Sequence, residues 1–169
     1  MKSALCWFFI GFVIPNLPWW SFAKSSSNDS EQAILRLHAQ ARQGHLRGDA
    51  ELIAAGVADR FINLQNGSLE SQTREQLRQK FSTYLGHVKY SEWNDVIQPS
   101  VHVSRDGTMA WTAINIKARF IDLTEPSPRQ EHEFTSSWIA VYEKQASGWR
   151  MVGMSSGCEP ACGSRREQK

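Results

Sequence analysis

Residues 108–121 read TMAWTAINIKARFI and decide the fold class of this 169-residue chain. Every second position carries a side chain suited to a protein core: Ala110, Thr112, Ile114, Ile116, Ala118 and Phe120. This two-residue period is the pattern of a β-strand with one face buried. The opposite face begins apolar with Met109, Trp111 and Ala113 and becomes polar from Asn115 onward. Because a sheet covered on one face only should alternate more cleanly, we expect a second subunit to cover part of the other face.

The same half of the chain contains further strand patterns. They cover residues 92–97, 100–104, 132–144 and 149–155. Asp106-Gly107 and Ser147-Gly148 are hairpin turn signals, and a Pro-rich loop at 125–129 joins the two long strands. The C-terminal half therefore predicts an antiparallel meander.

The N-terminal half instead shows helical periodicity. A first helix is predicted over residues 30–46, opened by Asp29, with His38 and His45 on its apolar face. A second, shorter helix is predicted over 50–58 and a short strand over 61–64. Thr73 and Gln76 form a capping-box pattern that opens a third helix, ending near residue 85. Helices followed by a meander predict an α+β domain with the helices on one sheet face.

The first residues have the pattern of an export signal. Lys2 precedes an unbroken apolar run at 4–14, and residues 21–23 (SFA) place small side chains where a signal peptidase cleaves. The run is shorter than the roughly 20 apolar residues that span a bilayer. We therefore expect a secreted or periplasmic protein with no stable membrane span after cleavage. The alternative is an uncleaved anchor with an aromatic cluster, Trp19, Trp20 and Phe22, at the membrane interface.

These signals divide the chain into four parts. They are a signal peptide at 1–23, a polar linker at 24–30, an α+β domain at 31–157 and a Cys-containing tail at 158–169. The net charge is +2, and Lys and Arg cluster only at Arg165-Arg166. The sequence therefore predicts no nucleic-acid partner.

Two cysteines, Cys158 and Cys162, remain after the expected cleavage. An even number in an exported chain favours a disulfide between them. Free thiols are one alternative, and a metal or redox pair is the other. Metal sites need further Cys or His ligands at regular spacing, and none lies nearby in the sequence, so we predict no metal site.

Five segments, in this order and spacing, resemble the nuclear transport factor 2-like (ketosteroid isomerase-like) superfamily, and in particular its SnoaL-like branch. They are RGDA at 47–50, VADRF at 57–61, TREQL at 73–77, WIAVY at 138–142 and GWRMV at 148–152. The resemblance implies a cone-shaped curved antiparallel sheet wrapped around about three N-terminal helices. It also implies an internal pocket and a homodimer formed through the sheet. The superfamily includes isomerases, cyclases, dehydratases, hydrolases and association domains, so the fold alone does not assign an activity.

The positions that carry catalysis in such isomerases are vacant here. The Asp base would fall near Leu64 and the helix Tyr near Ala41, and the last strand contains no histidine. His38 remains a weak catalytic candidate, since a buried histidine either titrates in a useful range or is simply a hydrogen-bonded core residue. The candidate ligand-binding residues are Phe61, Asn63, His132 and Trp138.

We therefore expect an exported domain that binds a small, largely apolar molecule, or a partner surface, in an internal apolar pocket without a cofactor. The alternative is a lyase, isomerase or hydrolase that acts on a small apolar substrate with His38 as acid and base. A third reading is an association module whose own side chains fill the interior.

Overall fold

The structure, a computed structural model, describes residues 27–65, 67–126 and 130–159. Over these ranges the chain forms three helices and seven strands. In chain order they are α1 Ser27–Arg47, α2 Ala50–Ala54, β1 Val57–Gln65, β2 Ser68–Thr73, α3 Arg74–Leu85, β3 Val88–Asp95, β4 Ser100–Val103, β5 Met109–Asp122, β6 Glu131–Gln145 and β7 Gly148–Glu159. In the described ranges no helix combines the length and the apolar composition needed to cross a membrane.

The strands form one curved, unclosed sheet in the order β2-β1-β7-β6-β5-β3, with β4 paired to β5 beside β3. β5 and β6 pair without interruption from Met109↔Glu143 to Ile121↔Glu131. On its other edge, β5 pairs with β3 along one half and with β4 along the other. The predicted α+β cone is thereby confirmed, and the structure adds one parallel pair, β1 with β7, to the antiparallel sheet.

Several boundaries differ from those predicted. α1 begins at Ser27, so Asp29 lies in its first turn, where a negative charge favours the helix N-terminus. α2 ends at Ala54 rather than at 58, because Val57 pairs with Met151 of β7 and starts a strand. The β2 strand was not predicted, since most of its side chains are exposed and it lacks apolar alternation.

Strand β3 also departs from its prediction, beginning at Val88 instead of 92. The register between β3 and β5 shifts between Tyr90 and Glu92. Such a bulge breaks the alternation of buried and exposed positions along the strand. For this reason the sequence pattern did not predict the first half of β3.

The third helix begins as the sequence indicated. The Thr73 hydroxyl accepts from the Gln76 amide, and the Gln76 side chain accepts from the Thr73 amide, which completes the predicted capping box. α1 and α2 pack closely at Gly44, where an added Cβ would lie 2.6 Å from Cγ1 of Ile53. A larger residue at this position would force the two helices apart.

The core consists of three clusters rather than one. The first joins α2, α3, β3 and β5, and includes Ile53, Leu85, Tyr90, Trp93, Ile114 and Ile116. The second joins α1, β5, β6 and β7, and contains Ile34, Ala110, Ala140, Tyr142 and Trp149. The third joins β1 and α3, and contains Val57, Phe61 and Leu77. Partly buried apolar residues pack between these clusters.

Candidate functional site

Half-buried apolar side chains connect the three core clusters. Phe81 packs against the first and third clusters, and Trp138 packs against the first and second. Met151 and Met154 pack against the second and third. In the sheet Met151 lies opposite the buried Tyr142 and Met154 opposite the buried Ala140, so both face the core side. We call these four residues the junction.

His38 lies beside the junction and has a carboxylate partner. Its side chain is 8% exposed, and its Nε2 lies 2.8 Å from Oδ1 of Asp95 at the end of β3. The His38 ring lies 5.7 Å from the ring of Trp93 and 6.1 Å from that of Trp138. The predicted inward orientation of His38 is confirmed, and the structure supplies the orienting carboxylate that the sequence did not reveal.

Arg42, one turn after His38, fixes the end of β3. Its Nε donates to the backbone carbonyl of Trp93 at 2.6 Å, and its Nη2 donates to Oδ1 of Asn94 at 2.5 Å. Since Asp95 follows directly, Arg42 and His38 together hold this strand end against α1. Asp95 and His38 are 57 positions apart, so no local motif links them. The only sequence signal was that Trp93 and Asp95 share one strand face.

His45 occupies a second aromatic environment. Its ring lies 5.5 Å from Phe81, 5.6 Å from Tyr90 and 5.1 Å from Trp93. Burial lowers the pKa of His45 to about 4, so its imidazole is neutral at pH 7. Helical periodicity placed this residue on the apolar face of α1, and α3 and β3 pack against that face here.

The Nδ1 atom of His45 is buried and has no hydrogen-bond partner. Leaving a buried polar atom unpaired costs about 1–3 kcal/mol. Oδ1 of Asn63 is likewise buried without a partner, on the β1 residue that lies opposite Met154. Two unpaired polar atoms therefore lie next to residues of the junction, one near Phe81 and one near Met154.

The other predicted site residues occupy different parts of the cone. Phe61 is 2% exposed and belongs to the third core cluster. Trp138 is at the junction beside His38, whereas His132 lies six residues earlier on β6, roughly 20 Å along the strand. His132 stacks on Phe120, and its Nε2 lies 3.1 Å from Oε2 of Glu125. The structure thus brings Trp138 to His38 and Asn63 to Met154, but leaves His132 apart.

Parts of several predictions lie outside the described residues. These are the signal peptide, residues 24–26 of the linker, residues 127–129 of the Pro-rich loop and residues 160–169 of the tail, including Cys162. Cys158 lies in β7 opposite Ser136, so the strand extends into the predicted tail. The Cys158–Cys162 disulfide stays a prediction. Among the described residues, no group of three or more His, Cys, Asp or Glu side chains could hold a metal ion.

Comparison with known proteins supports the fold. No family model and no curated protein sequence matches this chain. A nuclear transport factor 2-like superfamily protein from Salmonella enterica serovar Typhimurium has 16% identity, with 85% of this chain and 100% of that chain covered at a TM-score of 0.65. A ketosteroid isomerase-like protein from Erwinia carotovora atroseptica has 11% identity, with 76% and 95% covered at 0.60. A nuclear transport factor 2-like protein from Cytophaga hutchinsonii has 13% identity, with 75% and 95% covered at 0.58.

The α+β cone and these structural neighbours define the class of protein. The chain has the nuclear transport factor 2-like fold.

The neutral state of His45 makes folding stability depend on pH. The unfolded chain takes up a proton on this histidine below about pH 6.5, whereas the folded protein does so only near pH 4. We therefore expect His45 to lower the free energy of unfolding by about 3 kcal/mol as the pH falls from 7 to 4. Urea denaturation of wild type and His45→Phe at several pH values measures this difference. The control Tyr84→Phe alters the neighbouring tyrosine pair but should keep the wild-type pH dependence. If the free energy of unfolding changes with pH in the same way in wild type and His45→Phe, the prediction is refuted.

Proposed function

We propose that this protein binds a small, largely apolar molecule on the concave side of its sheet, at the junction. The observation that carries this proposal is the half-burial of Phe81, Trp138, Met151 and Met154 between three separate clusters. A ligand there would remove apolar surface from water, at about 25 cal/mol per Å². Apolar walls with a few polar groups, here His38 and Asn63, are typical of small-molecule sites.

A second candidate function is acid–base catalysis by His38. Its 2.8 Å contact with Asp95 favours this reading, because a carboxylate on one imidazole nitrogen fixes the orientation of the ring. With Nε2 engaged, Nδ1 is the nitrogen left to exchange a proton with a substrate. The corresponding reaction classes are those of lyases, isomerases and hydrolases acting on small apolar substrates.

Substitutions of Trp138 and His38 separate binding from catalysis. For a binding protein, Trp138→Ala should weaken uptake of an apolar ligand at least tenfold, on the order of 1.4 kcal/mol, while His38→Gln is tolerated. For an acid–base enzyme, His38→Gln should instead cost roughly 10²–10⁴ in rate with little change in affinity. Calorimetric titration with a panel of apolar ligands measures the first effect. Trp111→Ala, on the opposite face of the sheet, is the matched control, and unchanged affinity in Trp138→Ala would contradict the proposed site.

We also propose that a second copy of the chain covers the outer face of the sheet. Trp111, 42% exposed, lies opposite Val141, and Ile139, 53% exposed, lies opposite Ala113. These side chains form one apolar area beside Met109. Toward the other end of β5, Arg119 and Lys117 both contact Glu133 at 2.8 Å, so that part of the face is already internally paired. A second copy of the chain would bury the apolar area around Trp111, Ile139 and Met109.

Substitution of Trp111 tests this dimer. Wild type should be dimeric at micromolar concentration by light scattering, and Trp111→Glu should be monomeric, because an unpaired charge would be buried in the contact. Ile97→Glu is the control, since Ile97 is an exposed apolar residue in the loop after β3 and its substitution should leave the dimer intact. A wild-type monomer at this concentration would overturn the proposal.

Export and the disulfide are proposals supported by the sequence pattern. Mature protein should begin at or near Lys24, and its mass should be lower by about two hydrogens than that of the reduced form. Intact mass spectrometry before and after reduction, on protein isolated from its own compartment, measures both. Soluble cytoplasmic protein that retains Met1 would contradict export, and two alkylatable thiols without reduction would contradict the disulfide.

A further inference from the structure

The outer face of the sheet carries a second apolar area, on β1 and β2. It consists of Ile62, Leu64 and Leu69, all exposed, and Leu69 is exposed to 67%. Phe61, which precedes Ile62, is buried in the core, so Ile62 and Leu64 point to the outer face. Leu69 lies opposite Leu64 and points the same way. We call these three residues the β1–β2 area.

Strand β7 separates the β1–β2 area from the apolar area around Trp111. Leu64 aligns with Ser155 of β7, and Ser155 lies opposite Ile139 of β6. Ile62 aligns in the same way with Gly153. The outer face therefore has large apolar side chains on both sides of β7 and small side chains on β7 itself.

The area around Trp111, Ile139 and Met109 is too small to hold a stable dimer by itself. Neighbouring strands lie about 4.8 Å apart and outward residues of one strand about 7 Å apart, so each outward position covers roughly 33 Å² of the sheet plane. With Ala113 and Val141, this area covers on the order of 160 Å². A stable interface buries about 800 Å² on each partner. A dimer through this face therefore needs more of the sheet, and the β1–β2 area supplies further exposed apolar side chains.

The shape of the sheet indicates how a second copy would use both areas. The helices pack on the concave side, so the outer face is convex, and two such faces meet first near their centre. β7 is the third of the six strand positions. Because Gly153 and Ser155 are small, two copies can approach there until the side chains on either side of β7 meet. A two-fold axis along β7 brings the β1–β2 area of one copy to the Trp111 area of the other.

We propose that the dimer contact extends across β7, so that Ile62 and Leu64 of each copy pack against Trp111 and Ile139 of the other. This inference rests on the proposed dimer and identifies the contact residues on both copies. A second copy fits better than an unrelated partner, because one chain carries both complementary areas on the two sides of β7, as a two-fold contact requires.

Substitution of Leu64 tests the extension. In the mature chain, Leu64→Glu should weaken the dimer about tenfold or more by light scattering, because the contact would bury an unpaired charge. Leu64 is exposed in the single chain, so the circular dichroism spectrum should stay that of wild type. Ile62→Glu is a second variant with the same expected result, and Ile97→Glu is the control that should remain dimeric. Wild-type affinity in both variants would overturn the extension and leave the Trp111 contact standing, whereas a wild-type monomer would overturn both.

Substitution of Ser155 tests the central position of β7. Ser155→Phe adds apolar surface to the outer face, so a contact that depended on apolar area alone would become tighter. We expect it instead to become about tenfold weaker, because the larger side chain holds the two copies apart. Ser137→Phe, an equal exchange on β6 opposite Asn115, is the matched control and should leave the dimer unchanged. A tighter or unchanged dimer in Ser155→Phe would overturn the proposed arrangement.

Photo-crosslinking identifies the partner residues directly. Leu64→p-benzoylphenylalanine should give a covalent dimer on irradiation, and peptide mass spectrometry should place the crosslink in residues 109–113 or 139–141 of the other copy. The same photoreactive residue at position 97 should give no covalent dimer. Crosslinks to residues 62–69 of the other copy would overturn the arrangement, because they would require a two-fold axis in another direction.

Discussion

The burial of polar side chains on one face of α1 is the constraint on which the interior depends. His38, Arg42 and His45 follow one another at four- and three-residue spacing, and all three meet β3. Buried polar groups need partners, because an unpaired one loses its hydration without compensation. β3 supplies a carboxylate for His38 and a backbone carbonyl for Arg42, whereas it offers His45 only the rings of Tyr90 and Trp93. The position of α1 in the cone is thus set by polar contacts as well as by apolar packing.

The same helix takes part in two of the three core clusters. Its polar face meets β3, whose Tyr90 and Trp93 belong to the first cluster, whereas Ile34 of α1 belongs to the second. The residues between clusters, above all Trp138 and Phe81, remain half-buried. The rings of both histidines lie next to that of Trp93, and His38 is the one paired with Asp95.

The outer face of the same sheet changes from apolar to charged along the strands. β5 presents Trp111 at one end and Arg119 at the other, and its neighbour β6 presents Ile139 and Glu133. Ion pairs between exposed side chains contribute little to stability, but they keep one part of the face polar and solvated. The apolar part lacks such pairs among the described residues. The two proposed activities, ligand binding and self-association, would use opposite faces of the sheet.

The sequence by itself determined those features that depend on neighbours a few positions apart. The period of residues 108–121, the Thr73–Gln76 capping box and the inward orientation of His38 are of this kind, because each follows from the local geometry of a strand or helix. Only the tertiary structure decided the partner of His38, the enclosure of His45, the parallel pairing of β1 with β7 and the edge strand β2. The first three bring together segments that are far apart in the sequence, and β2 is an exposed strand. The spacing of apolar residues within one element predicts neither. The 57 positions between His38 and Asp95 are bridged by the packing of α1 on β3, and no spacing within either element records that contact.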